Sequence, residues 1–221
     1  MELTKEQKLD IYKGHLDEFK NQKVLNIVEK IIENTPTIFF GASTSSTGKY
    51  HPLVTNGFMG LVKHSLAVMI TAKEFMRNET IMKVFNLENL SDLDKEIILA
   101  ACLVHDNAKY GADELDYTQF HYTKTEHPRL VVDIVKKAGL ENFDKEDKEI
   151  LNKMLHIIET HMGEWTKVRG GEDLKKPSSK IQAFVHLCDY TVSKKTFDIV
   201  SELSVPESFP QDIIDGFKSS N

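Results

Sequence analysis

The sequence predicts an all-α fold. Apolar residues recur at helical spacing along most of the chain, and no segment alternates apolar and polar as a half-buried strand does. Proline, glycine and small polar residues fall where helices would start and stop. The first periodic stretch covers residues 6–33, with Leu9, Tyr12, Leu16, Phe19, Val24, Ile27, Val28, Ile31 and Ile32 as its apolar positions. It is long enough for two helices, and Asn34-Thr35-Pro36 ends it. Residues 39–60 are rich in Gly, Ser and Thr and read as a loop, of a length that usually signals function. Residues 61–77 form a helix. Residues 94–109 form another, opened by Ser91 and Asp92, whose centre IILAACLV is apolar all round and so expected to be buried.

A polar loop follows at 111–126. The helix 128–138 closes on Gly139, and the helix 145–161 closes on Gly163, both as C-cap glycines. A charged loop with Gly170-Gly171 fills 164–176, and Pro177 opens the last long helix at 178–200. Beyond Ser204 a tail with two prolines and a short apolar stretch is expected to pack loosely. No repeat, low-complexity segment or linker appears. The expected organisation is an N-terminal helical extension at 1–35, one main domain at 36–203 and a C-terminal tail at 204–221.

The chain has 221 residues, 40% of them hydrophobic and 28% charged, which is ordinary for a globular domain with a sizeable core. No apolar run approaches the roughly 20 residues that span a bilayer, so no membrane segment is expected. The charged start, Met1 to Asp10, lacks the apolar centre of a signal peptide. The two cysteines, Cys102 and Cys188, lie in apolar helical contexts and make no disulfide framework, which points to reduced thiols and the cytoplasm. The net charge of −6 argues against a broad nucleic-acid-binding face, although a metal and a few lysines can still build one positive pocket.

The chemistry lies in the histidines. Of the nine, His64, His105, His127 and His161 stand near helix ends or on apolar faces, as do Asp106 and Asp189. A helical bundle can gather such donors at one point. Imidazole with carboxylate suits one or two divalent transition ions (Mn, Fe, Co, Ni or Zn, with Mg as a further candidate). An ion so held lowers the pKa of bound water and neutralises phosphate oxygens, and a carboxylate shared by two ions, the role assigned to Asp106, favours in-line attack on phosphorus. A single histidine on a helix is more often a core or surface residue than a ligand, and His15, His121 and His186 are read that way. His156 and His161 are five residues apart and do not share a helix face, so only one is a ligand; His161, just before Gly163, is preferred.

The ordered set carries more than any member. Gly60 to Val68 (GLVKHSLAV, with His64), Ala101 to Gly111 (ACLVHDNAKYG, with His105 and Asp106) and His186 to Lys195 (HLCDYTVSKK, with Asp189) resemble the HD superfamily of metal-dependent phosphohydrolases. Ala108 stands where that family usually has glycine. The resemblance runs from about His51 to Lys195 and implies an all-α HD-domain helical bundle at 36–203. It implies His64, His105, Asp106 and Asp189 as ligands of a first metal, with water poised by Asp106. His127 and His161 stand where two-metal members have further ligands, although the paired histidines common there are here His161-Met162; failing that role, they would contact phosphate. Lys109, four residues after His105 and on the same face of a continuing helix, matches the family lysine directed at substrate phosphate. Charge stabilisation or proton delivery is its implied role, and a contact with the helix dipole is the structural alternative.

The approach segment SSTGKYHP is similar to that of HD-type 3′–5′ exoribonucleases, which would turn Lys49 and His51 toward the metal and substrate. Arg169, with Lys167, lies in a loop that could cover a phosphate or simply be solvated. Trp165, the only tryptophan, could stack on a base or pack as a hinge. Lys194 or Lys195 could reach phosphate from the last helix. The implied activity is metal-dependent hydrolysis of a phosphoester bond of a nucleotide, a phosphorylated small molecule. Three rivals stand beside it: a 3′–5′ exonuclease on short RNA or single-stranded DNA, a non-catalytic nucleotide-sensing HD module, and a di-iron HD-type oxygenase.

Overall fold

The computed structural model describes residues 2–46, 51–168, 170–194 and 210–219. Every regular element among them is helical. The first periodic stretch breaks into three helices, α1 (Lys5–Asp10), α2 (Lys13–Leu16) and α3 (Gln22–Glu33). Thr4 opens α1 with a capping box closed by Gln7, and Asn21 opens α3 by accepting from the amides of Lys23 and Val24. The Asn21 cap explains the break, because its extended backbone halts the helix that periodicity alone would continue. In α3, Val24, Ile27, Val28, Ile31 and Ile32 form one fully buried stripe.

The expected loop at 39–60 is partly helical. Thr37–Gly41 forms α4 and Leu53–Thr55 a short 3-10 turn, and Phe39 and Phe40 of α4 are buried in the core. Its described arms are joined where Thr44 donates from its amide and hydroxyl to the Thr55 carbonyl, at 3.2 and 2.8 Å. It enters α5 (Gly60–Arg77) through Met59 at φ +59°. Gly60 is required there, since a Cβ would overlap the Thr55 carbonyl.

α6 (Glu79–Phe85), unexpected from the sequence, follows at once; Asn78 caps it and Asn86 ends it in the left-handed region. α7 (Asp92–Val104), capped by Ser91, stops before the His-Asp pair instead of running to Lys109. Then come α8 (His127–Lys137), α9 (Lys145–Ile158), α10 (Lys180–Val192) and α11 (Gln211–Ser219). α9 also ends earlier than expected, leaving His161 in the following turn. The part of the expected last helix from 195 to 200 lies outside the described residues.

α5 packs between α7 and α10, α7 also meets α9, and α3 lies across α7 and α9. One hydrophobic core runs from Leu3 to Ile213, so α11 is anchored by a buried side chain rather than lying loose. Cys102 and Cys188 are free and buried in it. No helix among the described residues is long and apolar enough to cross a membrane.

Candidate metal centre

Five helices bring the candidate donors together. His64 projects from the middle of α5 and Asp189 from α10; His105 and Asp106 follow the end of α7, His127 starts α8 and His161 follows the end of α9. The turn after α7 is fixed from outside: Asn107 Nδ2 donates to Thr35 Oγ1 at 2.8 Å, and Thr35 Oγ1 donates to the Ile31 carbonyl. Ala108 is fully buried there. Its φ is not positive, so alanine is unstrained where the resemblance leads one to expect glycine.

Asp106 is the hub. Its Oδ1 lies 2.9 Å from His127 Nε2 and 3.4 Å from His161 Nε2, while its Oδ2 lies 3.7 Å from His105 Nε2 and 3.9 Å from His64 Nε2. Asp189 Oδ1 closes the second half, 3.0 Å from His64 Nε2 and 3.8 Å from His105 Nε2. Lys109 Nζ stands 3.1 Å from Asp106 Oδ1 and 3.3 Å from His127 Nε2. With α7 ended, Lys109 reaches Asp106 across the turn and not along a shared helix face.

Three of the rings have their tautomer set by the backbone. Nδ1 of His105, His127 and His161 lies 2.7, 2.7 and 2.8 Å from the carbonyls of Cys102, Lys124 and Ile158. A carbonyl only accepts, so each Nδ1 carries the hydrogen and each neutral ring turns an Nε2 lone pair inward. Burial pushes the His105 pKa down to about 4, with His161 and His64 adding to the effect. Burial also lowers His127 and His161, helped by Lys109 and by His127 respectively. Burial would raise Asp106, but the Lys109 ammonium 3.1 Å away leads the interactions that outweigh it, and the carboxyl is held well below its usual range. Asp189 is likewise lowered against burial, chiefly by the His64 hydrogen bond.

The result is a buried cluster in which the lone pairs of three rings and carboxylate oxygens face one another, with only Lys109 and His64 as donors within it. His127 Nε2 and His161 Nε2 are 3.0 Å apart, and His105 Nε2 is buried with no hydrogen-bond partner. Unrelieved, such an arrangement is costly. A divalent cation relieves it: donors about 2.1 Å from one ion sit about 3.0–3.4 Å from each other, close to the shorter separations here. Among the described residues, three overlapping groups have all their ligand atoms within 4.8 Å: His64, His105 and Asp106; His105, His161 and Asp189; Asp106, His127 and His161. The donor set therefore fits a metal, and the two oxygens of Asp106 divide it into halves.

Other sequence candidates fall at the margins. The His51 ring meets His64 edge-on at 5.4 Å, and burial, then His64 and Lys109, lower its pKa to about 4. Lys49 and Arg169 lie outside the described residues, as does Lys195. Lys167 is exposed and pairs with Asp173 at 2.6 Å. His156 is exposed and faces Glu159, whereas His161 is buried in the cluster.

His186, read from the sequence as structural, is a hydrogen-bonded residue and not a donor of the cluster, and its Nδ1 donates to the His161 carbonyl at 2.8 Å. The one sequence signal for this was Gly163, where a Cβ would overlap the His186 ring.

A family model described as the HD domain matches residues 61–193. That interval covers His64, His105, Asp106, Lys109, His127, His161 and Asp189. The match is to the domain as such, and does not extend to the exoribonuclease likeness of the segment before His64. No curated protein and no solved structure matches the chain.

Proposed function

The chain belongs to the HD domain family, and from that premise we propose that it is a metal-dependent phosphohydrolase acting on a nucleotide. The observation that carries the reading is the division of Asp106 between two histidine pairs, His105 with His64 and His127 with His161, with the Lys109 ammonium against the same carboxylate. His64, His105, Asp106 and Asp189 would hold a first ion; His127 and His161, with the other oxygen of Asp106, would hold a second. Neutral imidazoles favour Mn, Fe, Co, Ni or Zn over Mg. When bound, such ions supply activated water near neutral pH and neutralise phosphate oxygens.

The chain's own groups do the rest. Asp106 orients the water-bearing side of the site. Lys109 meets the charge that builds on the phosphoryl oxygens, or returns a proton to the leaving oxygen. His51 lines the approach beside His64, and Lys49 and Arg169 are assigned to phosphate contact on the sequence alone. In this reading 36–203 is the catalytic domain, 1–35 a helical extension packed on it and 204–221 a tail. The net charge of −6 favours a small nucleotide over a long nucleic acid.

The test is metal analysis of the purified protein, paired with Mn-dependent phosphate release from a nucleotide panel and cleavage of a short 3′-labelled RNA. Release that vanishes in Asp106→Ala, with bound metal falling from two ions to one in His127→Ala, is expected. Retained iron with oxygen-dependent colour and no phosphate release would replace hydrolysis by di-iron oxidation. Absence of bound metal would leave a nucleotide-sensing module.

A further inference from the structure

Beside the metal centre lies an aromatic surface that its chemistry does not use. Trp165 and Tyr190 stack with ring centroids 5.6 Å apart and planes 13° from parallel. His186 sits against both rings at 6.0 Å. Lys194 Nζ lies 3.7 Å from the centroid of Tyr190 and 5.3 Å from that of Trp165. Both large rings are exposed, Trp165 at 52% and Tyr190 at 39%, so core packing does not account for them.

The placement is specific in two ways. Trp165 comes four residues after His161 and Tyr190 directly after Asp189, so each ring is carried by the backbone of a candidate ligand on a different element. His186 joins the surface to the centre by donating to the His161 carbonyl. The least buried members of the cluster are Asp189 and Lys109, with side chains 16% and 13% exposed, so what access the centre has to solvent runs past these two, and Asp189 lies on α10 three residues after His186, on the same face. Rigid aromatic faces with an adjacent cation bind planar bases, and the ammonium adds a counter-charge for phosphate.

We infer that Trp165 and Tyr190, with His186 and Lys194, form the subsite that receives the base of a mononucleotide substrate. The identification of the ligand as a nucleotide rests on the phosphohydrolase reading of the adjoining centre. Trp165 stacks on or beside the base, Tyr190 extends the surface, and the phosphate end points to the opening at Asp189.

The chain's single tryptophan makes the test direct. Its fluorescence is titrated in the metal-loaded protein with adenosine and with ribose, corrected for inner-filter absorption. Adenosine carries a base and no phosphoester, so binding is read apart from hydrolysis. Saturable quenching by adenosine and none by ribose is expected, with affinity about five- to a hundredfold weaker in Tyr190→Leu. Trp165→Leu and Tyr190→Leu should raise the KM for adenosine monophosphate by a similar factor and leave phosphate release from ribose 5-phosphate unchanged. Both side chains are exposed, and circular dichroism checks that the variants fold.

No saturable quenching, with phosphate release intact, would overturn the subsite and spare the hydrolase reading. Quenching with no phosphate release from any substrate would uphold the subsite and fault the hydrolase. A short RNA binding far more tightly than adenosine through the same two rings would overturn the mononucleotide assignment.

Discussion

Replacing Asp106 by asparagine separates the metal reading from a purely structural one. The substitution keeps size and one oxygen but removes the charge that faces His127 and His161 on one side and His105 and His64 on the other. A four-donor transition-metal site is worth about 10–16 kcal/mol, so one donor carries roughly 3–4 kcal/mol. Metal affinity should then fall by about 10²–10³-fold at each half. Both halves should weaken, because Asp106 turns one oxygen toward each.

The metal-free protein should respond differently. The introduced amide can donate to an inward Nε2 where the carboxylate can only accept, so acceptor no longer faces acceptor. The apo melting temperature of Asp106→Asn should therefore stay near that of the unchanged chain, while metal stoichiometry and phosphate release collapse. Inductively coupled plasma analysis after dialysis, with melting curves in chelator, measures both. Full metal content in Asp106→Asn, or a large loss of apo stability with metal binding intact, would refute the assignment of Asp106 as a shared ligand.

Lys109→Met should lower kcat by about 10²-fold or more, the scale of losing one preorganised positive donor, with metal content unchanged; an unchanged kcat would remove Lys109 from catalysis. In chelator, stability should fall with acid. His105 is held at about 4 when folded and returns to about 6.5 when unfolded. The unfolded chain thus binds more protons between those values, and stability present above pH 6.5 is lost as pH drops toward 4, by about 3 kcal/mol for this ring. His127 and His161 act in the same direction. Urea midpoints at pH 7 and pH 5 measure it, and a flat or inverted trend would count against neutral inward-facing rings. Gly163→Ala should cost more than about 1 kcal/mol, because Gly163 has φ +60° and its Cβ would overlap His186; a neutral melting temperature would show that His186 is free to move.

Long amphipathic or wholly apolar stretches were legible because burial of a stripe is written into spacing. Thus α5, α8 and α10 begin within about two residues of where periodicity and capping residues put them. Short elements were not. TIFFG of α4 and ETIMKVF of α6 span one to two turns, too few to display a period, and tertiary burial of Phe39, Phe40 and Met82 holds them. At the candidate site, the order of His64, His105-Asp106, His127, His161 and Asp189 was readable as a motif. The stacking of Trp165 on Tyr190 was not, since it depends on how the turn after α9 meets α10.

The early ends of α7 and α9 explain why these histidines can serve as donors at all. A histidine inside a helix faces carbonyls already committed to amides four residues on, whereas at a helix end or turn a carbonyl can also take a ring nitrogen: those of Ile158 and Lys124 accept the His161 and His127 amides at 3.2 and 3.3 Å together with the rings. His105 and His161 lie one and three residues beyond their helices and bind the carbonyls three residues back, Cys102 and Ile158. His127 finds the same partner in Lys124, just before α8. That one local contact fixes the tautomer, the ring plane and the inward lone pair together. His64, in mid-helix, lacks it: its Nδ1 is buried without a hydrogen-bond partner, and its orientation comes instead from Asp189 at 3.0 Å. The early end of α7 is therefore part of the site, since continuing the helix through Lys109 would commit the Cys102 carbonyl that orients His105.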